Sequence, residues 1–138
     1  MGFEKVLIDT NICLDAILYR KPFANHALQM IEAAESGLYE GVIAAHSFDT
    51  IFYLLRRDYG KEKIYAVFAE LRKALGIADV TRDVVDKALN LQWPDFEDAI
   101  QYQAAIAAGC QALITRNARD FKQDSLPVLS PDQFLEQL

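Results

Sequence analysis

Short apolar segments alternate with longer amphipathic segments along most of the chain. Apolar runs of strand length occupy residues 6–8, 41–45, 77–80, 112–115 and 127–129. Apolar residues recur at helical spacing over 11–18, 23–36, 47–59, 61–75, 81–91 and 95–108, and a last helix follows Ser130-Pro131. Strands separated by helices need crossover connections and therefore pair in parallel. The pattern predicts an α/β fold with a central parallel sheet of four to five strands and helices on both faces.

The length and composition favour one folded domain. The chain has 138 residues, of which 52% are hydrophobic and 25% charged, which is typical of a globular protein rather than a disordered one. Single domains commonly have roughly 100–200 residues, so we expect one domain over 1–138. Residues expected to cap or end helices are Ser47, Thr81 and Ser130 at N-termini, and Gly37, Gly76 and Gly109 at C-termini.

The two cysteines and the apolar runs indicate the expected compartment. Cys13 and Cys110 are too few for a disulfide framework, and each lies in an apolar helical pattern where a free thiol acts as a small hydrophobe. No apolar run approaches the ~18 residues that cross a bilayer. We therefore expect a cytoplasmic protein without a membrane partner.

Polar residues that follow the predicted strands converge on one edge of the sheet. Asp9 directly follows the first strand, and Asp49 lies early in the helix after the second strand. The helix that begins at Asp95 runs antiparallel to the strand after it, so its first turn returns to the same edge, where parallel sheets bind ligands. The set expected there is Asp9, Asp49, Asp95, Asp98, Asn117 and Asp120.

Acidic residues gathered in this way favour a hard divalent cation. Neighbouring carboxylates repel one another and raise their pKa values unless a cation lies among them. Oxygen ligands suit Mg²⁺ or Mn²⁺, and no Cys/His cluster has the spacing of a zinc site. An ion held by carboxylates and a phosphate activates water for attack on a phosphodiester. The sequence therefore predicts nuclease chemistry at this edge.

The net charge of −6 is unfavourable for nucleic-acid binding, because proteins that bind phosphate backbones usually have a basic surface. Cations bound among the acids would remove this objection, since they reverse the field that a phosphate meets. A basic patch formed by Arg116, Arg119 and Lys122 lies beside the proposed edge, and we predict that it contacts nucleic acid.

Simpler roles remain open for most of these acids. Asp95 and Asp98 stand where helix caps and helix dipoles favour acids, and Asp49 fits a surface acid near a helix start. Asp120 fits a cap or an ion pair with a neighbouring arginine. Asp9 is harder to explain in this way, because no capping role is expected at its own position directly after a buried strand.

Three segments of the sequence resemble the PIN domain family, which contains the VapC toxins of bacterial toxin–antitoxin pairs. They read Val-Leu-Ile-Asp-Thr-Asn over 6–11, Asp-Phe-Glu-Asp-Ala-Ile over 95–100 and Leu-Ile-Thr-Arg-Asn-Ala-Arg-Asp-Phe over 113–121. The resemblance spans nearly the whole chain. It implies a three-layer αβα sandwich, a metal-dependent endoribonuclease acting on RNA, frequent homodimers and, for toxin members, a small antitoxin protein that blocks the site.

The resemblance also implies roles for single residues. Asp9 matches the first acid of the family and Asp98 the acid of its late helix, while Asn117 and Asp120 match the polar positions after the last central strand. Thr10 and Asn11 match the neighbours that steady the first acid, Thr10 through a hydroxyl hydrogen bond. The family commonly has Glu early in the helix after the second strand, and this chain offers only the shorter Asp49.

Other functions compete with the ribonuclease. A binding module with a degenerate site would hold RNA or a protein without cutting, which suits the acidic pI near 4.8 and the short Asp49. A haloacid-type phosphatase also begins with an acid after its first strand, but Asn11 stands where its second acid is needed. His46-Ser47 lacks the glycine pattern of a nucleophile elbow, and no glycine-rich turn for a dinucleotide follows the first strand.

Overall fold

The computed structural model describes residues 3–121 and 125–138. Five strands form one sheet in the order β3-β2-β1-β4-β5, and every pairing is parallel. The strands are β1 Lys5–Ile8, β2 Glu40–Ala44, β3 Leu75–Ala78, β4 Ala112–Ile114 and β5 Val128–Leu129. The prediction of a parallel sheet of four to five strands is confirmed.

Helices cover both faces of the sheet. They are α1 Thr10–Ile17, α2 Ala24–Glu35, α3 Ala45–Leu55, α4 Lys61–Ala74, α5 Arg82–Leu91, α6 Phe96–Ala107 and α7 Pro131–Leu135, and a 3-10 turn spans Ala118–Asp120. In β1, Val6 and Ile8 pack with α1 to α4 and α7, whereas Leu7 packs with α5 and α6 on the other face. This alternation follows from the two-residue period of a strand, and the result is the expected three-layer αβα sandwich.

Most of the predicted helix ends are present. The Thr81 hydroxyl accepts a hydrogen bond from the Val84 N–H, and Ser130 forms a capping box with Gln133. Gly37 and Gly109 follow helices with φ of 86° and 75°, a left-handed conformation that glycine adopts without steric cost.

The prediction that Gly76 ends a helix is wrong. Helix α4 passes directly into β3 at Leu75, and Gly76 pairs with Val42 inside the sheet. A Cβ at Gly76 would lie 3.3 Å from Val42 Cγ1. Glycine is therefore used here for close packing in the sheet rather than for a helix C-cap.

Ser47 does not cap α3 either. The helix begins at Ala45, directly after β2, and Ser47 is buried within its first turn. The buried residues Ser47, Ile51 and Leu55 share one face of α3 at four-residue spacing. The serine hydroxyl is therefore available for a contact with another element.

Both cysteines are buried free thiols, as predicted. Burial raises the pKa of Cys13 to about 12 and that of Cys110 to about 11, so each behaves as a protonated, small apolar side chain. Within the described residues, no helix is both long and apolar enough to span a membrane.

The packing around Gly41 generates a stability prediction. A Cβ there would lie 2.8 Å from Leu75 Cδ2 and 3.2 Å from both Ile8 Cδ1 and Tyr39 Cε2. We expect Gly41→Ser to lower the free energy of unfolding in urea by about 2–4 kcal/mol, because it overpacks the core and buries a hydroxyl. The control is Gly60→Ser at the N-cap of α4, where the nearest atom is 3.5 Å away. Equal effects of the two substitutions would contradict the prediction.

Candidate active site

Asp9 lies at the carboxyl end of β1 and is only 2% exposed. Its Oδ2 accepts a hydrogen bond from Thr115 Oγ1 at 2.6 Å, and its Oδ1 accepts one from Gln101 Nε2 at 2.9 Å. Burial raises the pKa of the Asp9 carboxyl, while these hydrogen bonds act in the opposite direction. The carboxylate is thus held in one orientation by a strand on one side and a helix on the other.

Asp9 also has a capping role that its position in the sequence did not indicate. Helix α1 starts at Thr10 without an intervening loop, and Asp9 Oδ1 accepts the Asn11 N–H at 3.4 Å. Asn11 thus supports the first acid through its backbone. The Thr10 hydroxyl does not bond to Asp9. The backbone N–H of Thr10 instead donates to Gln101 Oε1 at 3.1 Å, and Gln101 Nε2 in turn donates to Asp9.

Asp98 is the centre of an acidic cluster that comprises Asp9, Asp95, Glu97, Asp98 and Asp120. Burial and the charges of the other four acids raise the pKa of the Asp98 carboxyl to about 7. Asp95 caps α6 by accepting the Asp98 N–H at 3.2 Å. The structure therefore brings the acids from three separate chain segments close enough for their charges to interact.

Glu97 joins this cluster to α1 and α3. Its Oε2 lies 3.3 Å from His46 Nε2 and accepts a hydrogen bond from Thr10 Oγ1 at 3.4 Å. Thr10 Oγ1 is also 2.6 Å from Ser47 Oγ. The contact with His46 lowers the pKa of the Glu97 carboxyl although burial opposes the shift. Glu97 is therefore a partly buried carboxylate held by hydroxyl and imidazole groups.

The structure does not bring Asp49 to this cluster. Asp49 is exposed, and it forms no hydrogen bond or ion pair with any residue that the structure describes. It lies two positions after Ser47 and therefore about 200° around the helix from the face that contacts Thr10. In α3, His46 rather than Asp49 contacts an acid of the cluster, namely Glu97.

The segment after β4 presents the remaining predicted residues. Asn117, Arg119 and Asp120 are exposed around the 3-10 turn, and the Asn117 N–H donates to Thr115 Oγ1 at 3.2 Å. Lys122, predicted with Arg119 to contact nucleic acid, lies outside the described residues. The three side chains are therefore accessible to a ligand at this edge of the sheet.

Arg116 has a structural partner that the sequence pattern did not identify. Asp15 is 1% exposed and accepts hydrogen bonds from Arg116 Nε at 2.9 Å and Arg116 Nη2 at 3.3 Å. Arg20 Nε donates to the same carboxylate at 2.8 Å, and the Arg116 guanidinium lies over the Phe23 ring at 4.1 Å. Asp15, Arg20 and Arg116 form the Asp15 network, in which the charge of Arg116 is paired with a buried carboxylate.

The donor atoms of the cluster suit a hard divalent cation. Among the described residues, no three His, Cys, Asp or Glu side chains are close enough to form a metal-ligand group. Mg²⁺ needs fewer, because proteins usually bind it through one or two carboxylates while water and substrate phosphates complete its coordination. A cation would also offset the repulsion that raises the pKa of Asp98. Asp9 and Asp98 thus offer carboxylate oxygens, the donor type that Mg²⁺ and Mn²⁺ prefer.

Some of the unexpected contacts have a signal in the sequence, and others have none. Gln101 is three residues after Asp98, so helical spacing places both on one face of α6. The parallel pairing of Ile8 with Ile114 places Thr115 beside Asp9. Asp15 and Arg116, by contrast, are 101 residues apart, and no local pattern marks this pair.

The raised pKa of Asp98 generates a prediction on stability. An acid whose pKa is raised on folding loses stability as pH increases from its unfolded pKa, here 3.8, to its folded pKa of about 7. Asp98→Asn removes this loss. In EDTA, we expect the variant to gain about 1–2 kcal/mol of unfolding free energy relative to the parent between pH 5 and pH 8. Asp83→Asn, an exposed acid in the first turn of α5, is the control and should show no such trend.

The Asp15 network generates a second stability prediction. Asp15→Asn leaves two arginine side chains without their counter-charge, so we expect it to lower the unfolding free energy in urea by about 2–4 kcal/mol. Glu70→Gln breaks the exposed 2.8 Å pair with Lys73 and should cost under about 1 kcal/mol. Similar losses for both variants would show that burial adds nothing to the Asp15 network.

Comparisons with known proteins identify the family and the fold of the chain. A family model described as a PIN domain matches residues 5–119. Ribonuclease VapC1 of Aquifex aeolicus is 27% identical over 141 residues, covering 99% of this chain and 96% of that protein.

Two solved structures show the same fold. A chain of a toxin-antitoxin complex from Klebsiella pneumoniae superimposes with a TM-score of 0.69 at 22% identity, covering 91% of this chain and 97% of that one. A chain of VapBC2 from Rickettsia felis, solved with a DNA fragment from its promoter, gives 0.71 at 17% identity, with coverages of 91% and 98%. Since the family model matches most of the sequence, the chain belongs to the PIN domain family.

Proposed function

We propose that this chain is a ribonuclease that hydrolyses RNA phosphodiester bonds with Mg²⁺ or Mn²⁺, and that Asp9 and Asp98 are its principal metal ligands. The observation that carries the proposal is the position of these two carboxylates. Asp9 is buried and oriented by Gln101 and Thr115 at the carboxyl edge of the sheet, and its charge contributes to the raised pKa of Asp98. The Aquifex aeolicus relative, matched along nearly its full length, is named a ribonuclease.

The residues of the chain have separate tasks in this reaction. Gln101 and Thr115 fix the direction of the Asp9 oxygens, so that no reorientation is needed when a cation and a phosphate arrive. With a cation beside it, the Asp98 carboxyl would be held in its charged form. When bound, the ion supplies the charge that holds the phosphate and activates water for in-line attack.

Exposed residues around the site complete the proposal. Asp95 and Asn117 offer further oxygen atoms to the metal, and the exposed Asp120 can accept a proton from the attacking water. Arg119 is exposed beside them and can contact the RNA backbone. Arg116 contributes less than the sequence suggested, because Asp15 already holds its guanidinium.

We infer further that the protein acts as the toxin of a toxin–antitoxin pair, with a small antitoxin protein as its partner. Two solved structures with this fold were obtained as complexes of that kind, from Klebsiella pneumoniae and Rickettsia felis. A homodimer, which the family resemblance implies, stays a prediction.

A second candidate function is RNA or protein binding without cleavage. It is favoured by two observations: Asp49 stands apart from the acidic cluster, and the described residues contain no group of three potential metal ligands. The two candidates differ in one measurable property, since a binding module retains RNA in a gel-shift assay but leaves it uncut in the presence of Mn²⁺.

The decisive substitution is Asp9→Asn. We expect it to reduce cleavage of single-stranded RNA in Mn²⁺ by at least about 100-fold, because it removes one of two charged ligands while keeping the side-chain shape. Product formation is followed on denaturing gels with end-labelled RNA, and thermal unfolding verifies that the variant is folded.

The matched control is Asp58→Asn, an exposed acid between α3 and α4, which should cut at the rate of the parent. Unchanged cleavage by Asp9→Asn would reject the role of Asp9. A parent protein that binds RNA and never cuts it would favour the binding module.

A further inference from the structure

A cavity of about 440 Å³ lies beside the acidic cluster, on the side of α6 that carries Glu97. Six residues line this Phe96 pocket: His46, Thr50, Val80, Phe96, Glu97 and Ile100. We propose that it binds the nucleobase next to the scissile phosphate and prefers a base with an amino group over uracil. The inference depends on the proposed ribonuclease function, because it assigns a substrate feature to the same site.

The pocket offers an aromatic surface for stacking. Phe96 is 46% exposed, and Ile100 lies on the same face of α6 one turn later. Val80 supplies a further apolar wall from the segment after β3. Single-stranded RNA is commonly recognised by bases that unstack and pack on aromatic side chains. An exposed phenylalanine within an apolar cavity fits this use.

The volume of the pocket also fits one base and its sugar. Pockets for small organic ligands typically hold about 300–1,000 Å³ and combine mostly apolar walls with a few polar groups. The Phe96 pocket has this composition, with three apolar residues and three that carry polar atoms.

Glu97 supplies the polar discrimination. Its side chain is 35% exposed, Oε2 contacts His46 Nε2 and Thr10 Oγ1, and the Thr50 side chain is a third hydrogen-bond partner. A carboxylate offers about four acceptor positions and no donor, so capacity remains for an N–H group of a ligand. The amino groups of adenine, cytosine and guanine can donate to it. Uracil has only its N3–H to offer, and the carbonyl oxygens on both sides of that N–H repel a carboxylate that approaches it.

The pocket and the acidic cluster are joined through Glu97. Glu97 precedes Asp98 in the chain, and Thr10, which donates to Glu97, follows Asp9. A base in the pocket would therefore lie next to a phosphate held at Asp9 and Asp98. This arrangement explains why an apolar, partly exposed surface stands next to charged groups.

Binding of short RNA tests the pocket separately from cleavage. The probes are fluorescent hexanucleotides of adenosine, cytidine or uridine, titrated with the full chain in Ca²⁺, and affinity is measured by fluorescence anisotropy. We expect the parent to bind the adenosine and cytidine probes more tightly than the uridine probe. Phe96→Ala should weaken binding of all three by about 5- to 100-fold, the range measured for loss of base stacking.

Glu97→Gln tests the base preference. Glutamine both donates and accepts hydrogen bonds, so the ratio of affinities for cytidine and uridine probes should fall to near one. The controls are Leu89→Ala, which truncates a 56% exposed side chain on α5, and Glu62→Gln on the exposed first turn of α4. Both should retain the affinities of the parent.

Each outcome has a distinct meaning. A parent protein that neither binds nor cuts RNA refutes the ribonuclease proposal together with the pocket. If the parent binds RNA and Phe96→Ala matches Leu89→Ala, the pocket is refuted while the ribonuclease proposal stands. An unchanged preference in Glu97→Gln refutes the role of Glu97 in base selection.

Discussion

The pair of hydrogen bonds that holds Asp9 connects the layers of this fold to its chemistry. A buried carboxylate is stable only if its oxygens are satisfied, and here Thr115 and Gln101 satisfy both oxygens from a strand and a helix. Thr115 reaches Asp9 because β1 and β4 pair with Ile8 opposite Ile114. A shift of that register, or a rotation of α6, would leave the acid unsatisfied. The geometry of the site therefore depends on the packing of the whole sheet edge.

The acidic cluster is the opposite case, because no lysine or arginine of the described residues pairs with its acids, although His46 contacts Glu97. Burial and, after it, the charges of four neighbouring acids raise the pKa of Asp98, so the folded chain holds this carboxyl where its charged form is unfavourable. Elsewhere the same protein pairs a buried acid fully, as Asp15 shows with two arginines. Local rules of stability are commonly broken where a protein functions. The contrast with Asp15, which serves the fold, supports the proposal that Asp98 serves a ligand.

Much of the fold follows from the sequence because its signals are local. Alternating apolar runs and helical periodicity predict the parallel sheet, and Thr81, Ser130, Gly37 and Gly109 mark helix ends by their own chemistry. The expected helix-end roles of Gly76 and Ser47 are wrong for a different reason. Gly76 packs against Val42 and Ser47 contacts Thr10, and both partners are distant in the chain.

The residues of the candidate site also divide into those that local sequence signals place and those that tertiary contacts alone place. The direction of parallel strands is enough to place Asp9, Asp95, Asp98 and Asp120 near one another. It cannot decide which face of α3 turns inward, and that face carries Ser47 rather than Asp49. The partners of Arg116 and Glu97 are set by tertiary contacts alone.

The Asp15 network has a mechanical consequence for the segment after β4. Arg116 is tied to α1 on one face of the sheet, while Phe121, five residues later, packs at 5.7 Å against Trp93 in the cluster of the other face. Asn117, Arg119 and Asp120 thus belong to a short span anchored at both ends. Ordering such a span around a ligand costs less conformational entropy than ordering a free loop. Because its two anchors lie in opposite helical layers, any sliding of one layer against the other is transmitted directly to these three side chains.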